Sequence, residues 1–202
     1  MMILLDILFL IYKPKHDDKR IHLTFDHMFS HDNYTVFMIT MRIGKQGITL
    51  CFRCFKDKDD SNAFDENLLK EGISYISSLF DSSYKLIFLA DRWFNSNTLM
   101  QHINFLEHTY CIRLKRNIKV FVYDKKANNK VWKSLSELKT YKYHSKYFND
   151  ILLTDNSYNT NIVISKSDDI SEPWIIVTNG YTQRAIKDYD YRFGSIESVF
   201  KN

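Results

Sequence analysis

Apolar and polar positions change period along this chain, and the changes mark out its elements. RIHLTFDHMF (20–29) reads as a strand. YTVFMITMRI (34–43) and GITLCFRCF (47–55) flank GKQG, whose glycines predict a β-hairpin. The acidic stretch DKDDSN (57–62) then precedes a helix. Phe64, Leu68, Leu69, Ile73, Ile76 and Phe80 recur there at helical spacing, with Ser61 or Asn62 as the N-cap. YKLIFLAD (84–91) is almost continuously apolar and ends in an acid, the mark of a central strand covered on both faces. A second helix is predicted over about 96–108, capped near Asn95 or Ser96, with Leu99, Met100, Ile103 and Leu106 inward. YCIRL (110–114) is the next strand. From 115 to about 170 the chain is basic and alternating (IKVFVY, ILLTD, NIVIS), which predicts a β-rich insertion. WIIVTN (174–179) is another strand, and the tail from about 189 is expected to turn helical.

The order is therefore β-β-β-α-β-α-β, an insertion, then α. Three consecutive antiparallel strands lead into alternating α/β units, which predicts a mixed sheet with the first strand beside the fourth. Four segments follow: 1–19 as a leading remnant or linker, 20–114 as the first part of the core, 115–172 as the basic insertion, and 173–202 as core completion with a final helix. In such a sheet Asp26 would lie next to the carboxyl end of the Asp91 strand, where open α/β sheets place their sites. The final helix would bring Glu197 to the same edge.

Composition narrows the class. Apolar residues make up 45% and charged residues 26%, an ordinary globular balance. Thirteen Tyr and fifteen Phe suit β-rich segments. Three cysteines, Cys51, Cys54 and Cys111, make no disulfide framework and read as reduced, intracellular thiols. The CFRC pair has the spacing of half a zinc site, but no second pair follows, so buried strand thiols are expected. The start, MMILLDILFLIY, is interrupted by Asp6, lacks the marks of a signal peptide, and is short of the ~20 residues that span a bilayer. No membrane partner is expected.

Charge adds more. Between Arg113 and Lys146 stand eleven Lys or Arg against two acids, a local balance of +9. The remaining 17 basic and 22 acidic residues leave −5 elsewhere. Phe121, Tyr123, Trp132, Tyr141 and Tyr143 are interleaved with the basic block. A localised positive stretch with aromatics reads as a phosphate-backbone footprint, against the plainer reading of a solvated face.

Asp26, Asp91 and Glu197 are spread over three elements, so only a fold can gather them. Gathered carboxylates repel one another unless a cation lies between them, and hard ions such as Mg²⁺ suit carboxylate oxygen. That chemistry points to metal-assisted phosphoryl transfer. A calcium loop at DKDD is rejected, because the loop glycine and the closing glutamate are missing. His22, His27 and His31 are spaced across a strand and a turn and would diverge.

Five pieces, in order, carry a resemblance to a known family: LTFDHMF, RIGKQGITL, LADRWF, PWIIVTN and YDYRFGSIESVFKN. Together they resemble insertion-sequence transposases of the DDE type carrying the Tyr-Arg-Glu-Lys signature, over about residues 20–202. The resemblance implies a ribonuclease-H-like α/β core and an enzyme that cuts and joins DNA at insertion-element ends. It implies Asp26, Asp91 and Glu197 as the catalytic, metal-binding triad, holding two Mg²⁺ ions or Mn²⁺ in their place. Two such ions, roughly 3.5–4 Å apart, clamp both oxygens of an in-line displacement. Tyr189 and Arg192 match the signature's Tyr and Arg, expected to grip DNA near the cleaved phosphate, with Arg92 as a further candidate. Arg113, Lys115, Arg116 and Lys119, at the head of the basic block, complete the expected DNA contacts. The resemblance implies double-stranded DNA as the partner, both element ends and target, with a homodimer as one option for the full-length form and a cytoplasmic, nucleoid-associated location.

The chain also departs from the family's pattern. Trp93 stands where the second motif usually has glycine. Four residues separate Arg192 from Glu197 where three are usual, and one extra helical residue turns a side chain by about 100°. The signature lysine would fall beyond Asn202, and Lys201 comes too early. No room precedes residue 20 for a domain that recognises element ends, so the chain reads as truncated at both ends. Two rival functions follow: an inactive remnant retaining DNA binding through 113–146, and a basic β-rich nucleic-acid-binding module without enzymatic ancestry.

Overall fold

The computed structural model describes residues 19–29, 34–43, 46–56, 66–124, 126, 128–138, 140–141, 143–153, 158–166 and 172–193. The apolar start, the cap at Ser61 or Asn62, His31 and the tail bearing Glu197 lie outside them. The described residues form a mixed α/β fold with ten strands and three α-helices. They divide into two compact units, one of residues up to Ile87 together with Phe193, the other Phe88–Arg192.

The first unit is built on an antiparallel meander. Strands β1 (Arg20–Phe29), β2 (Tyr34–Ile43) and β3 (Gln46–Lys56) pair in sequence, with a register shift between Ile39 and Thr40. The strand order is β3-β2-β1-β4, with β4 (Lys85–Ala90) contributing its first residues here. The Lys85 amide donates to the Lys19 carbonyl at 2.7 Å. Ile21, Leu23 and Phe25 alternate along β1 as its buried set, on the face shared with Phe37, Ile39 and Met41 of β2. Helix α1 (Glu66–Ser78) covers that face. Leu69, Ile73 and Ile76 recur one turn apart, as an inward stripe requires. Gly72 brings the helix close: a Cβ there would lie 3.5 Å from Ile39 Cδ1 and 3.7 Å from Phe37 Cε1.

The second unit has the strand order β4-β5-β10-β9-β8-β6-β7. Leu86–Ala90 are wholly buried, as expected of a strand covered on both faces. A 3₁₀ turn (Arg92–Phe94) and helix α2 (Asn97–Phe105) connect β4 to β5 (Thr109–Arg113), the kind of helical connection that parallel neighbours need. Ser96 caps α2, its hydroxyl accepting from the Leu99 amide at 3.3 Å. Strands β6 (Lys119–Asp124), β7 (Asn129–Ser134), β8 (Ser145–Leu153) and β9 (Tyr158–Ser165) lie within the segment expected as a β-rich insertion, and β10 (Trp174–Thr178) pairs antiparallel with both β9 and β5.

Two sequence expectations are corrected here. Helix α3 is Thr182–Asp190, an element the apolar pattern did not predict, and residues 191–193 form a turn; the rest of the tail expected to be helical lies outside the described residues. Its buried positions are Thr182, Ala185, Asp188 and Tyr189. The spacing is helical, but two of the four are polar, so no apolar stripe announced it. Cys54 is exposed rather than buried. It lies on β3, the outermost strand of its unit, where Phe52 and Arg53 are exposed as well. Residues three apart on a strand point to opposite faces, so Cys51 and Cys54 do not converge on one ion. Burial raises the Cys51 thiol above its ordinary pKa, an effect Arg53 partly offsets. No helix among the described residues is long and apolar enough to cross a membrane.

Candidate functional site

The acid that closes β4 begins a short chain of charges in the second unit. Asp91 is the N-cap of the 3₁₀ turn, and its Oδ1 accepts from the Arg92 amide at 2.7 Å. Buried Phe94 anchors that turn from below, and its amide closes onto the Asp91 carbonyl at 3.0 Å. The carboxylate therefore stands at the end of a buried strand, with one oxygen held by a backbone donor. Two guanidinium groups face it at the outer limit of ion pairing. Arg92 Nε is 4.0 Å from Oδ1 and Arg192 Nη2 is 4.0 Å from Oδ2.

The arginines lead on to a second carboxylate. Arg92 Nη1 lies 3.8 Å from Glu172 Oε2, and Arg113 Nη2 lies 3.7 Å from the same oxygen. Glu172 precedes β10, and Arg113 ends β5, which pairs with β10 through Ile176. Lys115 Nζ is 5.3 Å from the centroid of the Trp93 ring. Trp93 is exposed, so its bulk is carried outward rather than onto Asp91. Glu172 was missed in the sequence, where an acid before Pro173 looks like ordinary loop polarity.

The other expected residues fall as follows. Asp26 lies inside β1, opposite Met38, and not at the strand's end, because pairing continues to Phe29 and Thr35. It is on the face that α1 does not cover, half-buried, with Oδ1 accepting from the His27 amide at 2.9 Å. Tyr189 is 0% exposed, its ring edge-on to Trp174 at 5.3 Å, so it is held away from solvent. Its carbonyl accepts from the Arg192 amide at 3.0 Å, which sets where Arg192 leaves the helix. Lys115, Arg116 and Lys119 are exposed, whereas Arg113 is half-buried and committed to Glu172. Glu197 lies outside the described residues. Among those residues no group of three His, Cys, Asp or Glu is gathered. In kind, Asp26 and Asp91 fit a hard divalent ion: both offer carboxylate oxygen, each with one oxygen held by a backbone amide.

The fold is similar to that of a transposase. The piggyBac transposase in its synaptic complex with hairpin DNA aligns with 89% of this chain at a TM-score of 0.54 and 12% sequence identity. The chain spans 39% of the length of that transposase. Marinitoga piezophila Argonaute, in complex with 5′ OH guide RNA, aligns with 86% of this chain and 26% of its own at 14% identity. Its TM-score of 0.39 is too low to support a shared fold. No family model matches the sequence, and no curated protein matches it. The similarity to the piggyBac transposase is thus one of fold. The functional residues of this chain stand on its own geometry.

Proposed function

We propose that this chain is a catalytic domain of a DNA transposase, with a ribonuclease-H-like core that cleaves and joins DNA strands at insertion-element ends. The observation that carries the reading is Asp91, placed at the end of buried β4 with Arg92 and Arg192 turned toward it. The fold similarity to a transposase bound to hairpin DNA supports it. So do the orders β3-β2-β1-β4 in one unit and β4-β5 in the other, which suit a ribonuclease-H-like sheet.

In this reading Asp26, Asp91 and Glu197 hold two Mg²⁺ ions, with Mn²⁺ as a substitute. Bound there, the ions supply activation of a water or DNA 3′-hydroxyl and neutralisation of the leaving oxygen. The remaining work falls to the chain's own side chains. The Arg92 amide keeps the Asp91 carboxylate in one orientation. Arg92 and Arg192 present planar forks that meet a phosphate bidentately. Glu172 holds Arg92 and Arg113 in place until a phosphate replaces it. Exposed Lys115, Arg116 and Lys119 track the duplex backbone and fix its register without reading sequence. Tyr189 acts through packing, by positioning Arg192.

The test is nicking of a DNA duplex by the purified chain with Mg²⁺ or Mn²⁺. Cleavage that needs the metal and is abolished by Asp91→Ala and by Asp26→Ala is the expected result. Cleavage that survives Asp91→Ala would overturn the assignment. Salt-sensitive duplex binding with no cleavage under any metal would favour a binding protein without catalysis.

A further inference from the structure

The β6–β7 hairpin carries a set of side chains of which the proposed reaction uses only Lys119. Its register pairs Lys119 with Ser134, Phe121 with Trp132 and Tyr123 with Lys130. Side chains opposite one another share a face, and the face changes at every residue. One face therefore presents Lys119, Phe121, Tyr123, Lys130, Trp132 and Ser134. The other carries Val120 and Val122, both buried, with Lys133 ion-paired to Asp124 at 2.5 Å. The hairpin's acid is thus spent on the opposite side, and no acid stands in these paired rows of the aromatic face. Tyr123 is 57% and Trp132 49% exposed, so both rings offer a face to a ligand. Phe121 and Trp132 lie 5.3 Å apart between centroids, and the Tyr123 hydroxyl is tied to Asn128 in the turn. The rings are held by their neighbours instead of turning freely.

We propose that this face binds a segment of single-stranded DNA. Two bases stack, one on the Trp132–Phe121 pair and one on Tyr123, and Lys119 and Lys130 meet the flanking phosphates. Residues two apart on a strand are separated by roughly 6.6 Å, a spacing that lets consecutive splayed bases find separate rings. A duplex hides its base faces, so exposed rings between lysines suit an unpaired strand. Charge complementarity selects a polyanion, and the aromatic rings select one that has flat faces to offer. The choice of DNA over RNA rests on the function proposed above; the stacking does not.

Fluorescence anisotropy with a labelled oligo-dT, an equally charged abasic strand, a single-stranded RNA and a duplex of equal length tests this on the full chain. Oligo-dT is expected to bind tighter than the abasic strand and the RNA. Trp132→Ala or Tyr123→Ala should weaken oligo-dT about tenfold and leave the duplex within about twofold. Trp132→Phe should restore most of the loss. Equal affinity for oligo-dT and the abasic strand would overturn the proposal, whether or not the alanine variants fold. Tighter RNA than DNA binding would overturn the choice of sugar. Asp91→Ala, which abolishes cleavage if the function is right, should leave oligo-dT binding unchanged, so the two readings fail separately.

Discussion

At the scale of single residues, Glu172 and Gly180 have sharply different consequences. Glu172 is surface-placed and holds two guanidiniums at 3.7 and 3.8 Å, so its worth to stability is small. Glu172→Gln should change the unfolding free energy by less than about 0.5 kcal/mol in a urea titration. It leaves Arg92 and Arg113 with less local negative charge, and duplex affinity at low salt should rise about threefold. An unchanged affinity would mean that these arginines do not face DNA. Gly180 is the opposite case. A Cβ there would lie 2.9 Å from Thr109 Cγ2, and Thr109 is buried. Gly180→Ala should cost about 1–3 kcal/mol, seen as a lowered thermal midpoint. Thr109→Ser removes the offending methyl, so the double variant should recover part of that loss. Simple additivity of the two changes would exclude the clash as the cause.

At the scale of elements, a buried hydroxyl network ties β5, β9 and β10 together. The Tyr110 hydroxyl lies 2.7 Å from Thr160 Oγ1 and 3.1 Å from the Tyr158 hydroxyl, and Thr160 donates to the Thr178 carbonyl at 3.1 Å. Burial drives both phenols above their ordinary pKa; the Thr160 hydrogen bond partly offsets this for Tyr110, as the Tyr110 hydrogen bond does for Tyr158. The folded chain therefore keeps protons that the unfolded chain gives up near pH 10. The network's contribution is full below about pH 10 and is lost as pH rises beyond it. Tyr110→Phe should cost about 1 kcal/mol at pH 7. The gap from the parent chain should close between about pH 10 and 11.5, read from urea midpoints. A constant gap would place the Tyr110 hydroxyl in contact with water. These elements differed in how plainly the sequence announced them. The run LIFLA declares β4 because every position is apolar and every position is buried. TQRAIKDYD hides α3, because Thr182 and Asp188 occupy half of its inward stripe. Asp26 and Asp91 were legible as acids on strand-like runs. Glu172 was not, since its meaning comes only from the two arginines that the fold brings to it.

At the scale of the whole molecule, the net charge of +4 understates what an anionic partner meets. Eleven cations against two acids lie between Arg113 and Lys146, and the rest of the chain is acidic on balance. The fold reduces the number that can act. Arg113 is engaged with Glu172 and Lys133 with Asp124, while Lys115, Arg116, Lys119, Lys126, Lys130 and Lys146 are exposed. If about four of these neutralise phosphates on a duplex, counterion release sets a slope near −3.6 in log affinity against log salt. Duplex affinity should then fall roughly a hundredfold between 50 and 200 mM salt. Charge reversal separates this local effect from a general attraction to the chain. Lys115→Glu with Arg116→Glu should flatten the slope by about two contacts, whereas two matched reversals outside 113–146 should leave it unchanged. A slope that answers equally to both pairs would mean that overall charge, and not the basic stretch, draws DNA to this protein.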